Sequence, residues 1–141
     1  MPAHDSVQIF EVMHRLLRVY YRQHQEPSAH LGLTRNEMRM ILFLGRRPGA
    51  SQSEMVTESG SDKGLIARQV AVLLERGLIT KESALPARRG ASCFLSIEGR
   101  RVYDELQTIA EGVARTFLTP IDGETRKVLA NGLNKILDAS H

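Results

Sequence analysis

Apolar residues in the first part of the chain recur at three- and four-residue steps. Ile9, Phe10, Met13, Leu16, Leu17, Tyr20 and Tyr21 form a wide stripe at the helical period, predicting an amphipathic helix from Ser6 to about Gln25. Pro27 and the neighbourhood of Gly32 end it. Thr34, with Glu37 three residues on, has the spacing of a capping box. Met38, Ile41, Leu42 and Leu44 fill the apolar face of the helix that follows, up to the turn Arg47-Pro48-Gly49. A short helix from about Gln52 to Ser59 buries Met55 and Val56, and Gly60 suits the left-handed position just past its end. Ser61 is placed to cap a further helix that turns Ile66, Val70, Leu73 and Leu74 to one side and stops at Gly77. Two helices joined by a few residues that include a glycine form a helix-turn-helix.

The period then shortens to two. Leu78 to Ser83 reads as a short strand, and Ser92 to Ile97 as a second, with Cys93, Leu95 and Ile97 inward and Ser92, Phe94 and Ser96 outward. Between them, Ala84 to Ala91 has no core pattern and reads as the loop of a hairpin. Val102, Leu106, Ile109, Val113 and Phe117 restore the helical period in a long helix closed by Pro120. A last helix, about Asp122 to Leu137, presents Leu129, Leu133, Ile136 and Leu137. The fold class is mainly α with a small two-stranded β wing: a winged helix-turn-helix with helical segments at both ends.

Length and composition narrow the class without choosing the function. The 141 residues match one domain, and 42% apolar with 25% charged content is ordinary for a globular protein. Cys93 is the single cysteine, which rules out an intramolecular disulfide framework. No apolar run reaches the ~18 residues of a membrane span, and the first residues lack a secretory pattern, so a cytoplasmic protein is expected.

Charge sharpens the picture by its position. The net charge is only +3, but Ser61 to Arg101 carries Lys63, Arg68, Arg76, Lys81, Arg88, Arg89, Arg100 and Arg101 against Asp62, Glu75, Glu82 and Glu98. The excess on the helix-turn-helix and wing is therefore larger than that of the whole chain, as phosphate binding requires. On a wheel of about 100° per residue, the face opposite Ile66, Val70, Leu73 and Leu74 carries Ser61, Gly64, Arg68 and Glu75. Arg68 can there reach guanine O6 and N7 or clamp a phosphate, and Gly64 lets the backbone approach the groove. As a lone surface arginine it would carry no such meaning; the attached wing gives it one. Arg88 and Arg89, between Pro86 and Gly90, stand at the hairpin tip, where arginine can enter a narrow minor groove.

This order of elements resembles the MarR family over nearly the whole chain, most closely from Pro48 to Arg101. The carriers are Gln52-Ser53-Glu54-Met55, the Gly60 turn, Arg68, and Leu73-Leu74-Glu75-Arg76-Gly77-Leu78-Ile79. With them go Arg88-Arg89 in the wing and Leu95-Ser96-Ile97-Glu98-Gly99-Arg100, which is similar to the family's Leu-Thr-x-x-Gly-Arg. The resemblance implies a single MarR-like domain, with residues 6–33 and 98–141 as a helical dimerisation region and 34–97 as the winged helix-turn-helix. It further implies a homodimeric repressor on a pseudo-palindromic operator, responsive to a small effector of phenolic or oxidant type. Ser61, Lys63, Gly64 and Arg68 are then the recognition-helix contacts, Arg88 and Arg89 the wing contacts, and Gln52 and Ser53 backbone contacts. Two departures stand out. Ala87 replaces an aspartate usual in the wing, and Gly64, Leu65 and Ala67 stand where the family tends to carry hydroxyls, which shifts specificity towards thymine methyls or DNA shape.

Other functions find less support. Gly-x-Ser-x-Gly, a phosphate loop and His-Glu-x-x-His are absent, and Glu54, Glu58 and Asp62 read as solvated helix acids, so no enzyme, cofactor or metal is expected. The five histidines, His4, His14, His24, His30 and His141, include no His-x-x-x-His pair. Cys93, inward on a wing strand, reads as a small core hydrophobe. An effector crevice would draw on His14, Tyr20, Tyr21 and Met40. The competing reading is a winged-helix module that binds a protein partner and has lost DNA, motivated by Ala87 and the hydroxyl-poor recognition helix.

Overall fold

A computed structural model describes residues 3–82 and 91–140. Its element order is α1 (Ala3–Arg22), α2 (Gln25–Ser28), a 3₁₀ turn η1 (Ala29–Leu31), α3 (Arg35–Arg46), α4 (Gln52–Ser59), α5 (Lys63–Glu75), β1 (Ile79–Glu82), β2 (Ser92–Leu95), α6 (Ile97–Leu118) and α7 (Gly123–Ala139). The mainly helical class with a two-stranded antiparallel wing is borne out. Among the described residues no helix is long and apolar enough to cross a membrane. The chain forms two compact units: residues 27–109, and residues 1–26 with 110–141.

The unit of residues 27–109 holds the core. Met40, Ile41, Leu44, Met55, Ile66, Val70, Leu73, Leu78, Ile79, Cys93 and Leu106 are buried, drawn from α3, α4, α5, the wing strands and the start of α6. Each helix start has a physical cause. Thr34 Oγ1 accepts from Glu37 N–H at 3.1 Å while Glu37 Oε1 accepts from Thr34 N–H at 3.0 Å, the expected capping box. Ser51 Oγ accepts from Glu54 N–H and so starts α4, and Gly60 ends it at φ 68°. Strand β1 pairs antiparallel with β2, Ile79 opposite Leu95 and Lys81 opposite Cys93. An isolated antiparallel bridge also joins Ala50, just ahead of α4, to Cys93 of β2.

At the base of the wing the chain is tied tightly. Ser96 N–H donates to the Leu78 carbonyl at 3.0 Å, Ser96 Oγ donates to the Gly77 carbonyl at 2.6 Å, and the same oxygen accepts from Gly99 N–H at 3.0 Å. Gly99 is buried, and a Cβ there would collide with the Leu78 carbonyl oxygen. The Leu95 to Arg100 signature is therefore a hydrogen-bonded seat that joins wing to helix.

Several sequence-based boundaries move. The first helix stops at Arg22, and Pro27 lies inside the separate short helix α2. Asp62, not Ser61, caps α5, its carboxylate accepting from Leu65 N–H at 2.8 Å. Ile97, expected inward on a strand, is 80% exposed and opens α6, because Ser96 diverts the chain to cap that helix. Ser92, expected outward, is buried beside Cys93.

In the unit of residues 1–26 and 110–141, α7 has no buried residue, and Val128, Leu129, Leu133, Ile136 and Leu137 are exposed. On α1 the same holds for Val7, Ile9, Phe10, Val12, Leu16, Leu17 and Val19. Tyr20 packs edge-on against Phe117 at a centroid distance of 5.7 Å and against His24 at 4.6 Å.

Candidate nucleic-acid interface

Helix α5 packs on α3, α4 and β1, which fixes its orientation and leaves one face open. Ile66, Gln69, Val70 and Leu73 point inward. Lys63, Gly64, Ala67, Arg68, Ala71, Val72 and Glu75 are exposed. The open face thus coincides with the one the helical wheel selects. Ser61 lies just ahead of the helix, half-buried, with its N–H donating to Ser59 Oγ. Among the described residues neither Lys63 nor Arg68 has a hydrogen-bond or ion-pair partner, so both cations are available to a ligand. Gly64 keeps the first turn bare; a Cβ would stand 3.2 Å from Asp62 Oδ1.

Gln52 and Ser53 occupy the first turn of α4, Gln52 half-buried and Ser53 exposed, where free N–H groups favour an anion. Arg88 and Arg89 lie outside the described residues. The arrangement brings Lys63, Gly64 and Arg68 onto one exposed face, with Gln52 and Ser53 on the neighbouring helix that supports it.

Three arginines of the basic region are already engaged. Arg76 donates to the carbonyls of Gly32 at 2.8 Å and Leu31 at 2.7 Å, tying the end of α5 to the segment before α3. Arg101 pairs with Glu98 at 3.0 Å, and Arg100 lies over the Tyr103 ring at 5.1 Å. Sequence counting credited all three to the phosphate field. Partners 44 and 45 residues away give no sequence signal, so the Arg76 strut was not foreseeable.

The residues singled out for an effector are differently placed. Met40 is 5% exposed, within the core of residues 27–109. His14 and Tyr21 are exposed on α1, and Tyr20 is half-buried among Tyr21, His24 and Phe117. Burial, with Tyr21 beside it, pushes the Tyr20 hydroxyl pKa up. Burial likewise raises the Cys93 thiol, and Lys81, its cross-strand partner, offsets part of that. Among the described residues no group of three or more His, Cys, Asp and Glu side chains could hold a metal ion.

Known proteins place this geometry. A family model described as MarR family matches residues 31–90. The HTH-type transcriptional regulator BilQ of Clostridium symbiosum is 26% identical over 112 residues, 79% of this chain and 75% of that protein. Transcriptional regulator HosA of Escherichia coli O111:H- is 24% identical over 125 residues, 87% and 93% respectively. A structure of Staphylococcus aureus MarR in complex with salicylate and kanamycin superposes with a TM-score of 0.87 at 16% identity, covering 97% of this chain and 93% of that one. The matched segment covers the helix-turn-helix and the first wing strand, and the fold is shared over nearly all of the chain: the protein is similar to the winged-helix transcriptional regulators of the MarR family.

Proposed function

We propose that the protein is a sequence-specific, duplex-DNA-binding repressor of the cytoplasm that acts as a homodimer. The observation that carries this reading is the open face of α5, where Lys63 and Arg68 have no partner among the described residues. A cation projected from a helix of this width suits the major groove. Ser61 and Gly64 then border the groove, Gln52 and Ser53 meet the backbone, and Arg88 and Arg89 reach the minor groove from the wing.

The dimer is supported by the apolar side chains exposed on α1 and α7, more than a monomeric surface ordinarily leaves open. Paired recognition helices suit half-sites about 34–36 Å apart, so the operator is a pseudo-palindrome. Response to a small aromatic acid is part of the proposal; it draws on the salicylate complex of the S. aureus protein and on the Tyr20, Tyr21, His24 and Phe117 cluster. The winged-helix module that binds protein instead remains the competing outcome.

The test is selection from a randomised duplex library, followed by affinity measurements over a range of salt. Arg68→Ala is expected to lose preference at the base pair that Arg68 contacts. Arg89→Ala should bind many sequences less tightly, with a salt slope flatter by about one unit. Absence of any salt-dependent duplex binding by the intact dimer would leave the protein-partner reading in place.

A further inference from the structure

The exposed face of α5 has an unusual chemical inventory for a recognition helix. The helix has four polar side chains, Lys63, Arg68, Gln69 and Glu75. Gln69, the one amide, is 8% exposed and turned into the core. Lys63 and Glu75 stand at the two ends. Gly64, Ala67, Arg68 and Ala71 fill the middle of the open face, within an arc of about 100° on the helical wheel. From Gly64 to Ala71 the helix advances about 10 Å, or roughly three base steps.

Each base pair offers a distinct major-groove edge, and this helix can answer few of them. Adenine is read by the paired donor and acceptor of Asn or Gln, which this face lacks. Guanine is read by a guanidinium, which Arg68 supplies. Thymine offers a 5-methyl group, which pairs with small apolar side chains such as alanine. Without side chains beyond Cβ at Ala67 and Ala71, and none at Gly64, the helix can come close enough for methyl contact.

Resting on the DNA-binding reading above, we infer that α5 recognises a half-site in which one guanine, held by Arg68, is flanked by thymines read through their methyl groups by Ala67 and Ala71. The A·T pairs are thus distinguished by what thymine adds rather than by what adenine donates.

The experiment uses the full-length protein and a duplex recovered by selection from a randomised library. Thymines of the half-site are replaced one at a time by deoxyuridine, which removes only the methyl. Each contacted methyl should cost about fourfold in affinity, the worth of one buried methylene; replacements outside the half-sites should cost nothing. Ala71→Ser, at an exposed position that tolerates the change, should abolish the uridine penalty at the base it faces and leave the other penalties in place. Arg68→Ala should relax the guanine and leave the uridine penalties. Uridine duplexes bound as tightly as thymine duplexes, with binding otherwise sequence-specific, would overturn methyl readout while the regulator reading stands. A selection that recovers no duplex takes down both.

Discussion

Two glycines on one helix should answer the same substitution with opposite signs. Gly99 sits in the first turn of α6 and Gly112 in its middle. At Gly99 a Cβ falls far inside contact with the Leu78 carbonyl oxygen, 2.9 Å from the carbonyl carbon and 3.4 Å from Leu95 Cβ. An ordinary carbon–oxygen contact needs about 3.3 Å, so backbone has to yield by on the order of 1 Å. That oxygen accepts from Ser96 N–H, and Ser96 Oγ bonds both Gly77 and Gly99, so the seat strains as a unit. Overpacking costs about 1–3 kcal/mol, and loosening two of these hydrogen bonds adds about 1 kcal/mol each. Relief of glycine's helix penalty returns at most about 1 kcal/mol. Gly99→Ala should therefore lose roughly 3 kcal/mol. Gly112 has nothing within 4 Å of its Cβ position, so Gly112→Ala should gain about 0.5–1 kcal/mol. Equilibrium unfolding in urea reads both, at one fixed protein concentration because association adds to apparent stability. A Gly99→Ala protein within 1 kcal/mol of wild type would refute the argument that this seat is rigid backbone.

Three further outcomes are expected. Under the proposed homodimer, Leu133→Glu with Leu137→Glu should give monomers or aggregates, and sedimentation of the unmodified chain as a monomer at micromolar concentration would remove the basis for that expectation. Cys93 is fully buried and its thiol pKa raised by burial, so a thiol reagent should label it only in denaturant; labelling of the native protein at the rate of a free thiol contradicts the packing. Asp122 has its pKa lowered from the ordinary 3.8, first by its side-chain hydrogen bond with Thr125 and then by the Thr125 backbone N–H. Its contribution to the start of α7 is then present above pH 3.8 and lost as pH falls through the folded value. Carboxyl NMR should find its midpoint below 3.8, and a midpoint at or above it means the cap is not formed in solution.

Local rules were legible in the sequence and long-range ones were not. The Thr34–Glu37 box, the Gly60 terminus and the core side of α5 follow from spacings of three and four residues, and each appears as expected. Ser61 and Asp62 are both good caps one position apart, so only the bond from Leu65 N–H decides between them. Ile97 fits an alternating pattern by accident of composition; the turn at Ser96 depends on the carbonyls of Gly77 and Leu78, nineteen and eighteen residues earlier. The Ala50–Cys93 bridge is one pair of residues, too short to leave a pattern. On the candidate interface, the wheel identified the open face of α5, while the diversion of Arg76 and Arg101 from it needed coordinates.

The Arg76 strut has a mechanical consequence. It fastens the far end of α5 to the carbonyls of Leu31 and Gly32, so that end of the helix and the segment leading into α3 share one anchorage. The thirteen residues of α5 make a rod of about 20 Å. A tilt of about 5° about the anchored end carries the opposite end, with Lys63 and Gly64, by about 1.7 Å, half the rise of a base pair. The strut therefore steadies the helix at the end where a small error in angle would be magnified most by the time it reached Lys63 and Gly64, the residues that the proposed function sets against the groove.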